Sequence, residues 1–308
     1  MNAQIIEIIR NSAAVPSVPQ VVTRVLQIMQ DSDFDYGNVV KALSADAGAA
    51  SEILRLSNSA LFGVRQKVVS LRQALTLLGP KRTRSLLLGR YLVDTMGTRS
   101  VEALDMSYFW RRSLSCSVVA SSLAAAVAPR LREEAFISAL LADIGITILA
   151  QAIPTRYSTI AEQFSPHGRR TEAQQELDAI DATHGEVSAM VLQHWSLPET
   201  ITTAVNLHQS SNPGEGDSAT IARIINASDR LAKLLCEIPD VEEVAAVCGE
   251  ATELIGVEPE VLADLLSTVE RDIEELAEIL RIDVIQSNVY SLIAKTVRES
   301  LSETAPSS

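Results

Sequence analysis

Apolar side chains recur at intervals of three and four residues along most of the chain, which is the spacing of one face of an α-helix. The first such face consists of Val18, Val21, Val22, Val25, Leu26 and Met29. Further segments with this spacing lie at about residues 107–127, 133–152, 171–181, 184–195, 198–208 and 219–235. No stretch alternates apolar and polar residues for long enough to require a β-strand. The pattern therefore predicts an all-α protein.

Turn-forming residues mark a helix boundary in the first third of the chain. Ser70 is a suitable N-cap for the helix that follows it. Gly79 and Pro80 then supply a C-cap glycine and a first-turn proline for a second helix, which extends to about Met96. This segment is therefore predicted to contain two helices with a break at Gly79.

A heptad-like seam marks the last third of the chain. Its apolar residues alternate steps of four and three: Leu262, Leu266, Val269, Ile273, Leu276 and Leu280. A seam this short either packs within its own bundle or joins two copies of the chain. The pattern leaves both open, so a homo-oligomer is one alternative.

The charges are segregated along the chain, which has a formal net charge of −13. Between Glu52 and Asp94 there is no acidic residue but eight basic ones: Arg55, Arg65, Lys67, Arg72, Lys81, Arg82, Arg84 and Arg90. Residues 237–290 instead hold fifteen acidic residues against Arg271 and Arg281. Either these are two solvated faces, or the basic face docks an anionic partner or the acidic region of the same or a neighbouring chain. Nucleic acid is not the expected partner of so acidic a chain.

The composition points to the cytoplasm. The cysteines, Cys116, Cys236 and Cys248, are far apart and form no CxxC pair, which fits a reducing compartment. The N-terminus lacks the basic and apolar regions of a signal peptide. The most apolar segment, residues 138–153, is interrupted by Asp143 and is shorter than the roughly 20 residues needed to cross a bilayer. We expect it to be a core helix and expect no association with a membrane.

Familiar catalytic motifs are absent from the sequence, which has no P-loop, no G-x-S-x-G and no H-E-x-x-H. Four polar residues nevertheless lie within or beside apolar helical runs: Asp143, His184, His208 and Asp229. Taken singly, each is more typical of a salt-bridged or hydrogen-bonded core residue. Together they are carboxylates and imidazoles from separate helices, which is what a divalent metal in a helical bundle requires.

Several motifs resemble those of the HDOD family, a relative of the HD-type metal-dependent phosphohydrolases. They are ALLADIGITIL, HGEVSAMVLQHWSLPETITTAVNLHQ, VPSVPQVVTRVLQIMQD, SEILRLSNSALFG and SLRQALTLLG. Together they lie within about residues 15–230. The resemblance implies an amino-terminal helical lobe at 1–100, a degenerate HD-type bundle at 101–237 and an acidic helical extension at 238–302. We expect the polar tail at 303–308 to be disordered.

The resemblance also implies that half of the metal ligands of an active HD enzyme are missing. Arg112 stands at the position of the first histidine, Ala142 at the histidine of the His-Asp pair, and Gln209 follows His208 in place of a second histidine. A guanidinium cannot lose its proton to become a ligand, and its charge repels a cation. We therefore expect no bound metal, no cofactor and no catalytic residue. Our hypothesis is that Arg112 bridges Asp143 and Asp229.

Two pairs of residues are expected to be structural. Asn58 and Ser59 are predicted to cap or hydrogen-bond a helix end, with a ligand role as the alternative. Trp110 and Trp195 are predicted to pack in the core.

The favoured function is that of a non-enzymatic bacterial signal-transduction regulator, which acts as a protein-binding or scaffolding HDOD domain with a signalling protein as partner. One alternative is a metal-dependent phosphohydrolase that uses the four polar residues in an altered site. Another is a sensor that holds a cyclic dinucleotide with the basic run at 65–90 or with Arg111 and Arg112.

Overall fold

The computed structural model describes residues 3–29, 33–58, 67–97, 101–166, 168, 171–237, 241–280, 282, 293 and 295. Within these ranges the secondary structure consists of α-helices and one short 3-10 turn, and no strand occurs. The helices are α1 (Ala3–Asn11), α2 (Gln20–Ile28), α3 (Tyr36–Ser44), α4 (Ala47–Ser57), α5 (Leu71–Gly97), α6 (Met106–Val127), α7 (Arg132–Leu141), α8 (Ile144–Ala152), α9 (Pro154–Ala161), α10 (Ala173–Ile180), α11 (His184–His194), α12 (Glu199–Leu207), α13 (Asp217–Cys236), α14 (Val241–Ile255) and α15 (Pro259–Leu280). The all-α prediction is confirmed.

Helix α5 is kinked where the sequence predicts a break. Gly79 has φ 74° and ψ 170°, and Pro80 follows it at the start of the second segment. Only glycine adopts this backbone conformation without steric cost. Just upstream, the side-chain amide of Asn58 donates to the carbonyl oxygens of Leu54 and Val68, and its oxygen accepts from the Val68 N–H. Asn58 therefore ties the end of α4 to the segment that precedes α5, in line with its predicted bond to a helix end, and Ser59 lies outside the described residues.

The centre of the protein is helix α6, which packs along α13 and α7. Its side chains are buried on nearly all sides, from Tyr108 to Ala124. Trp110 and Trp195 are also buried, which confirms their predicted place in the core. Among the described residues one continuous cluster of buried apolar side chains extends from Ile5 to Ile293. The division of the chain at 100 and 237 stays a prediction.

The seam residues of α15 are buried against the rest of the chain, and the helix packs on α6, α14 and α4. The seam therefore belongs to this bundle and is not available to join two copies of the chain. The same helix brings acidic residues to the basic amino-terminal lobe. Arg55 pairs with Glu278 at 3.4 Å, and a guanidinium nitrogen of Arg90 donates to the carbonyl oxygen of Leu280 at 3.2 Å. The basic and acidic regions thus meet within one chain.

One stretch, Pro129–Ala152, is long and apolar enough to cross a membrane, with a mean hydropathy of 1.8, but 89% of its most apolar window is buried inside the protein. This confirms the prediction of a core segment. The prediction of one continuous helix over 133–152 is wrong, because α7 ends at Leu141 and α8 begins at Ile144. Asp143 stands at the break as the N-cap residue of α8.

Candidate functional site

Four helices bring the predicted polar residues into the interior. Asp143 precedes α8, His184 is the first residue of α11, His208 follows the last residue of α12, and Asp229 lies within α13. All four side chains are buried. Helices α11 and α12 are neighbours, and α11 also packs on α8. The fold therefore collects residues that are up to 86 positions apart in the sequence.

Three of these residues converge on one point. The Nε2 atoms of His184 and His208 are 3.2 Å apart. Asp143 Oδ1 is 3.4 Å from the first of them and 3.6 Å from the second. Within the described part of the chain, Asp143, His184 and His208 are the group whose ligand atoms lie close enough together to hold a metal ion. We call them the Asp-His-His cluster.

Close packing of α8 on α11 sets the position of this cluster. A Cβ atom on Gly145 would lie 2.1 Å from the carbonyl oxygen of His184, so only glycine fits at this crossing. Ser188 joins the same two helices, because its hydroxyl accepts from the Gly145 N–H at 2.8 Å and donates to the carbonyl oxygen of Ala142 at 2.7 Å. The break before α8 is thus held by a side chain of α11, which keeps Asp143 beside His184.

A buried carboxylate that the sequence did not reveal supports His184. Glu176 Oε2 accepts from the His184 backbone N–H at 2.9 Å and lies 2.8 Å from its Nδ1. The other oxygen accepts a hydrogen bond from the Tyr157 hydroxyl. Glu176 is fully buried, although it lies in a short helix whose sequence reads as amphipathic and solvated. Its eight-residue spacing from His184 matches no recognised motif, so sequence reasoning had no signal for it.

Both imidazole rings are oriented by their Nδ1 atoms. The Nδ1 of His208 is 2.6 Å from the carbonyl oxygen of Val205, which can only accept, so this nitrogen carries a hydrogen. The Nδ1 of His184 faces Glu176 in the same way. Each ring therefore turns its Nε2 toward Asp143. Ligand histidines in metalloproteins have the same arrangement, in which a second group fixes the tautomer.

The buried charges of the cluster change the pKa values of their neighbours. Burial alone lowers the pKa of His184, but the carboxylates of Glu176 and Asp143 outweigh it and raise the pKa to about 10. Burial also raises the pKa of Asp143, yet hydrogen bonds from His184 and His208 hold it well below its usual value. Asp143 and His184 therefore each favour the charged form of the other.

Arg112 makes a separate pair. Its Nε and one terminal nitrogen donate to Asp229 Oδ1 at 3.1 and 2.7 Å, and its guanidinium carbon lies 4.4 Å from the centre of the Phe164 ring. Burial lowers the pKa of Arg112, but Asp229, Tyr108 and Asp143 together raise it above its ordinary value. The side chain is therefore a permanent cation. The hypothesis that Arg112 bridges two carboxylates is right for Asp229 and wrong for Asp143, whose oxygen instead faces the two imidazoles.

The model of the HDOD domain matches residues 15–211 of this chain, which is more than half of its length. The chain belongs to the HDOD domain family.

Three solved structures share the fold. A Shewanella amazonensis SB2B protein provisionally described as a phosphohydrolase has 20% identity and a TM-score of 0.70, with 90% of this chain and 98% of that chain covered. An HDOD domain protein of unknown function from Geobacter sulfurreducens has the same identity and TM-score, with 90% and 99% covered. A Marinobacter aquaeolei VT8 protein provisionally described as a signal transduction protein has 17% identity and a TM-score of 0.59, with 96% and 65% covered.

A protein of Treponema pallidum (strain Nichols), named only as an uncharacterized protein, is 24% identical over 203 residues. The match covers 64% of this chain and 38% of that protein. The HDOD chain therefore spans well under half the length of the curated relative that it matches.

In this HDOD domain the Asp-His-His cluster has donor atoms that fit an ion, whereas the HD-type set does not. The HD-type set would need imidazoles at Arg112 and Ala142, and Asp229 is already bonded to Arg112. The Asp-His-His cluster, in contrast, offers two imidazole nitrogens and one carboxylate oxygen, which suit a borderline transition metal. Gln209, at the position of the second histidine, donates to the carbonyl oxygen of Thr171 at 2.8 Å and lies outside the cluster.

The predicted basic docking face is smaller than the sequence suggested. Arg90 is buried and pairs with Asp94 at 2.6 Å, and Arg84 donates to the carbonyl oxygen of Met29 at 2.8 Å. These two residues are bound within the chain because α5 packs its second half into the core. Lys67 and Arg72 are exposed. Arg65 and the side chains of Lys81 and Arg82 lie outside the described residues.

Proposed function

We propose that this HDOD protein is a non-enzymatic signal-transduction regulator of the bacterial cytoplasm, which acts by binding another signalling protein. Its family membership and the described role of its Marinobacter neighbour support the signalling part of this proposal. The lack of an assembled HD-type donor set among the described residues supports the non-enzymatic part.

The Arg112–Asp229 pair is the observation that carries the proposal. Both side chains are almost fully buried, at 1% and 4% exposed, and the guanidinium stands where an HD-type enzyme has its first metal-binding histidine. Metal-dependent hydrolysis of a phosphodiester needs an activated water beside bound substrate. A fixed cation bonded to the distal aspartate removes two of the ligands on which that chemistry depends.

The partner is expected at the exposed face of the first half of α5. The exposed Arg72 and Leu77, the latter 43% exposed, lie on this helix, and the exposed Lys67 and Val69, the latter 74% exposed, lie just before it. Exposed apolar groups rimmed by charge are typical of protein-binding surfaces. A partner with an acidic and apolar surface would complement this face.

The first experiment tests catalysis. The wild-type chain and the Asp143→Ala variant are each supplied with Mn²⁺, Fe²⁺ or Zn²⁺ and incubated with cyclic dinucleotides, linear nucleotides and bis-p-nitrophenyl phosphate. We expect the two proteins to be indistinguishable. Turnover by the wild type that is more than about tenfold above the variant would reject the non-enzymatic proposal.

The second experiment tests binding. Wild-type protein, Arg72→Glu and the control Lys41→Glu, which reverses another exposed charge on α3, are immobilised and exposed to lysate of the native cell. We expect one signalling protein to be captured by the wild type and by Lys41→Glu but not by Arg72→Glu. Equal capture by all three would show that this face is not the docking surface.

A metal-dependent phosphohydrolase is the second candidate function, and the convergence of the Asp-His-His cluster favours it. Three protein ligands with an open position are the arrangement of many catalytic zinc sites. The substrate panel above decides between the two candidates.

The cyclic-dinucleotide sensor is less well supported. Arg112 is buried and paired with Asp229, so it is not exposed to a nucleotide. The other form of this alternative is binding by the basic run at 65–90. Calorimetric titration with cyclic di-GMP at moderate salt tests it, since binding heat would favour a sensor and a flat titration would exclude one.

A further inference from the structure

A cavity of about 520 Å³ lies between the carboxyl end of α1 and the carboxyl half of α11. Both helices pack on α8, and the cavity is the space that remains between them. His184 of the Asp-His-His cluster is the first residue of α11, whereas the residues of this helix that line the cavity lie between 190 and 194. A volume of about 300–1,000 Å³ is usual for small-molecule sites. The cavity is therefore a candidate site separate from the cluster.

The floor of the cavity is aliphatic. Its apolar lining residues are Ile9, Val15, Met190 and Val191. Ile9 and Val191 are 0% and 2% exposed, and Val15 and Met190 are half-buried against the same core. The described lining contains no Phe, Tyr or Trp, which are the side chains on which nucleobases stack. The floor therefore suits a hydrocarbon chain better than a base.

The rim of the cavity carries hydrogen-bond donors and, among the described residues, no acidic side chain. Arg10, Gln193 and His194 complete the described lining. Arg10 is a permanent cation, Gln193 has an amide with two N–H donors, and the ring of His194 has an N–H donor in either charge state. Within the described part of the chain, none of these three side chains takes part in a hydrogen bond or an ion pair. Their donors are therefore available to an anion.

We propose that this cavity binds a small aliphatic monocarboxylate, with its chain on the aliphatic floor and its carboxylate at Arg10 and His194. A carboxylate matches the planar fork of an arginine side chain. A single permanent cation at the rim favours an anion with one negative charge over the several charges of a nucleotide.

The bound chain would contact both α1 and α11 and so hold α1 on the domain. Ile9 and Arg10 precede residues 15–211, the segment that the HDOD model matches. The cavity therefore depends on a helix outside that segment. This proposal does not rest on the regulator function, since ligand binding and partner binding can each fail alone.

The probe is octanoate, titrated into the full chain by calorimetry. Three related compounds separate the two parts of the site: acetate has the carboxylate without the chain, 1-octanol has the chain without a charge, and octylammonium has the chain with the opposite charge. We expect one octanoate per chain and no measurable heat from acetate. Octanol and octylammonium should bind more weakly by about tenfold or more, because the attraction to Arg10 is lost or reversed. At a free octanoate concentration of about 100 times the Kd, the melting temperature should rise by about 4 °C.

Two variants separate the rim from the floor. Arg10→Gln should weaken the binding of octanoate by about tenfold and leave the binding of octanol unchanged. Met190→Trp fills the cavity and should abolish the binding of both compounds. Arg24→Gln is the matched control, because Arg24 is an exposed arginine on α2, and its loss should change neither affinity.

Far-UV circular dichroism shows whether each variant folds. If Met190→Trp does not fold, hydrogen exchange of the wild type with and without octanoate decides, and greater protection of α1 and of the end of α11 is expected. A flat titration with octanoate at millimolar concentration would overturn the proposal. Equal affinity for octylammonium, equal affinity of Arg10→Gln for octanoate, or protection confined to other helices would overturn it as well.

Discussion

Replacing Arg112 with methionine should destabilise the protein by an amount that the buried pair predicts. Methionine keeps most of the volume of the side chain but leaves the carboxylate of Asp229, only 4% exposed, without its cationic partner. The variant also loses both hydrogen bonds to that carboxylate and the contact of the guanidinium with the Phe164 ring. Folding would then bury a carboxylate that has lost its guanidinium partner.

The expected loss is about 3–5 kcal/mol, which is the usual cost of removing one partner from a buried ion pair. An unfolding entropy of about 2.1 cal/mol/K per residue over 308 residues gives about 0.65 kcal/mol/K for the chain. The melting temperature should therefore fall by about 5–8 °C.

The assay is guanidinium unfolding followed by circular dichroism, carried out on a double-mutant cycle. Arg112→Met and Asp229→Leu are each expected to be strongly destabilising, whereas the double variant should lie within about 1.5 kcal/mol of the wild type, because it contains no unpaired charge. Arg130→Met is the surface control. It removes an exposed arginine from its pair with Asp217 and should leave the unfolding midpoint close to that of the wild type, because exposed ion pairs contribute little to stability.

An Arg112→Met variant as stable as Arg130→Met would refute this reasoning. So would a double variant whose loss equals the sum of the two single losses, since additivity means that the two side chains do not interact. In either case the Arg112–Asp229 pair would not be the structural substitute on which the proposed function depends.

Three further predictions follow from buried contacts. Gly145→Ala should lower the free energy of unfolding by about 2–3 kcal/mol or more, because the added methyl group would lie 2.1 Å from a backbone carbonyl oxygen. Gly249 has open space around it, so the control Gly249→Ala should stabilise α14 by about 0.5–1 kcal/mol. Ser188→Ala should cost about 1–3 kcal/mol, since it leaves two buried backbone groups without their partner; an unchanged unfolding midpoint would contradict this. Cys236 and Cys248 should resist alkylation at pH 8 until the protein unfolds, because burial raises their pKa to about 11 and about 12; rapid labelling of the native protein, read by mass spectrometry, would count against it.

The features that sequence reasoning could predict are those set by local chemistry. Helical periodicity is a property of neighbouring residues, and so the all-α fold and the buried seam of α15 follow from it. The kink at Gly79 was predictable for the same reason, because a glycine before a proline limits the backbone directly. The burial of Asp143 and Asp229 was also visible, since each is a charged residue surrounded by apolar ones.

The features that could not be predicted depend on which side chains meet across the fold. The sequence places Arg112 near both Asp143 and Asp229 only by analogy with HD-type sites, and it does not say which carboxylate receives the guanidinium. The contact of Glu176 with His184 and the burial of Arg90 could not be predicted for the same reason. Glu176 and Arg90 both belong to amphipathic helices with an ordinary polar pattern. The break at residues 142–143 also depends on a distant contact, the hydroxyl of Ser188.

The two buried aspartates have different partners: Asp229 accepts hydrogen bonds from Arg112, and Asp143 faces the two imidazoles. Arg112 directs two nitrogens at a single oxygen of Asp229, so its charge is satisfied there. Asp143 is left to the two imidazoles, whose orientation depends on Glu176 and on the Val205 carbonyl and not on Arg112. The arginine thus separates the site into a closed ion pair and a three-donor cluster, each held by its own contacts. It follows that Arg112→Met should lower the stability of the chain while leaving the contacts of Asp143 with His184 and His208 in place, and that Asp143→Asn should leave the contacts of Arg112 with Asp229 in place; crystal structures of the two variants check both outcomes.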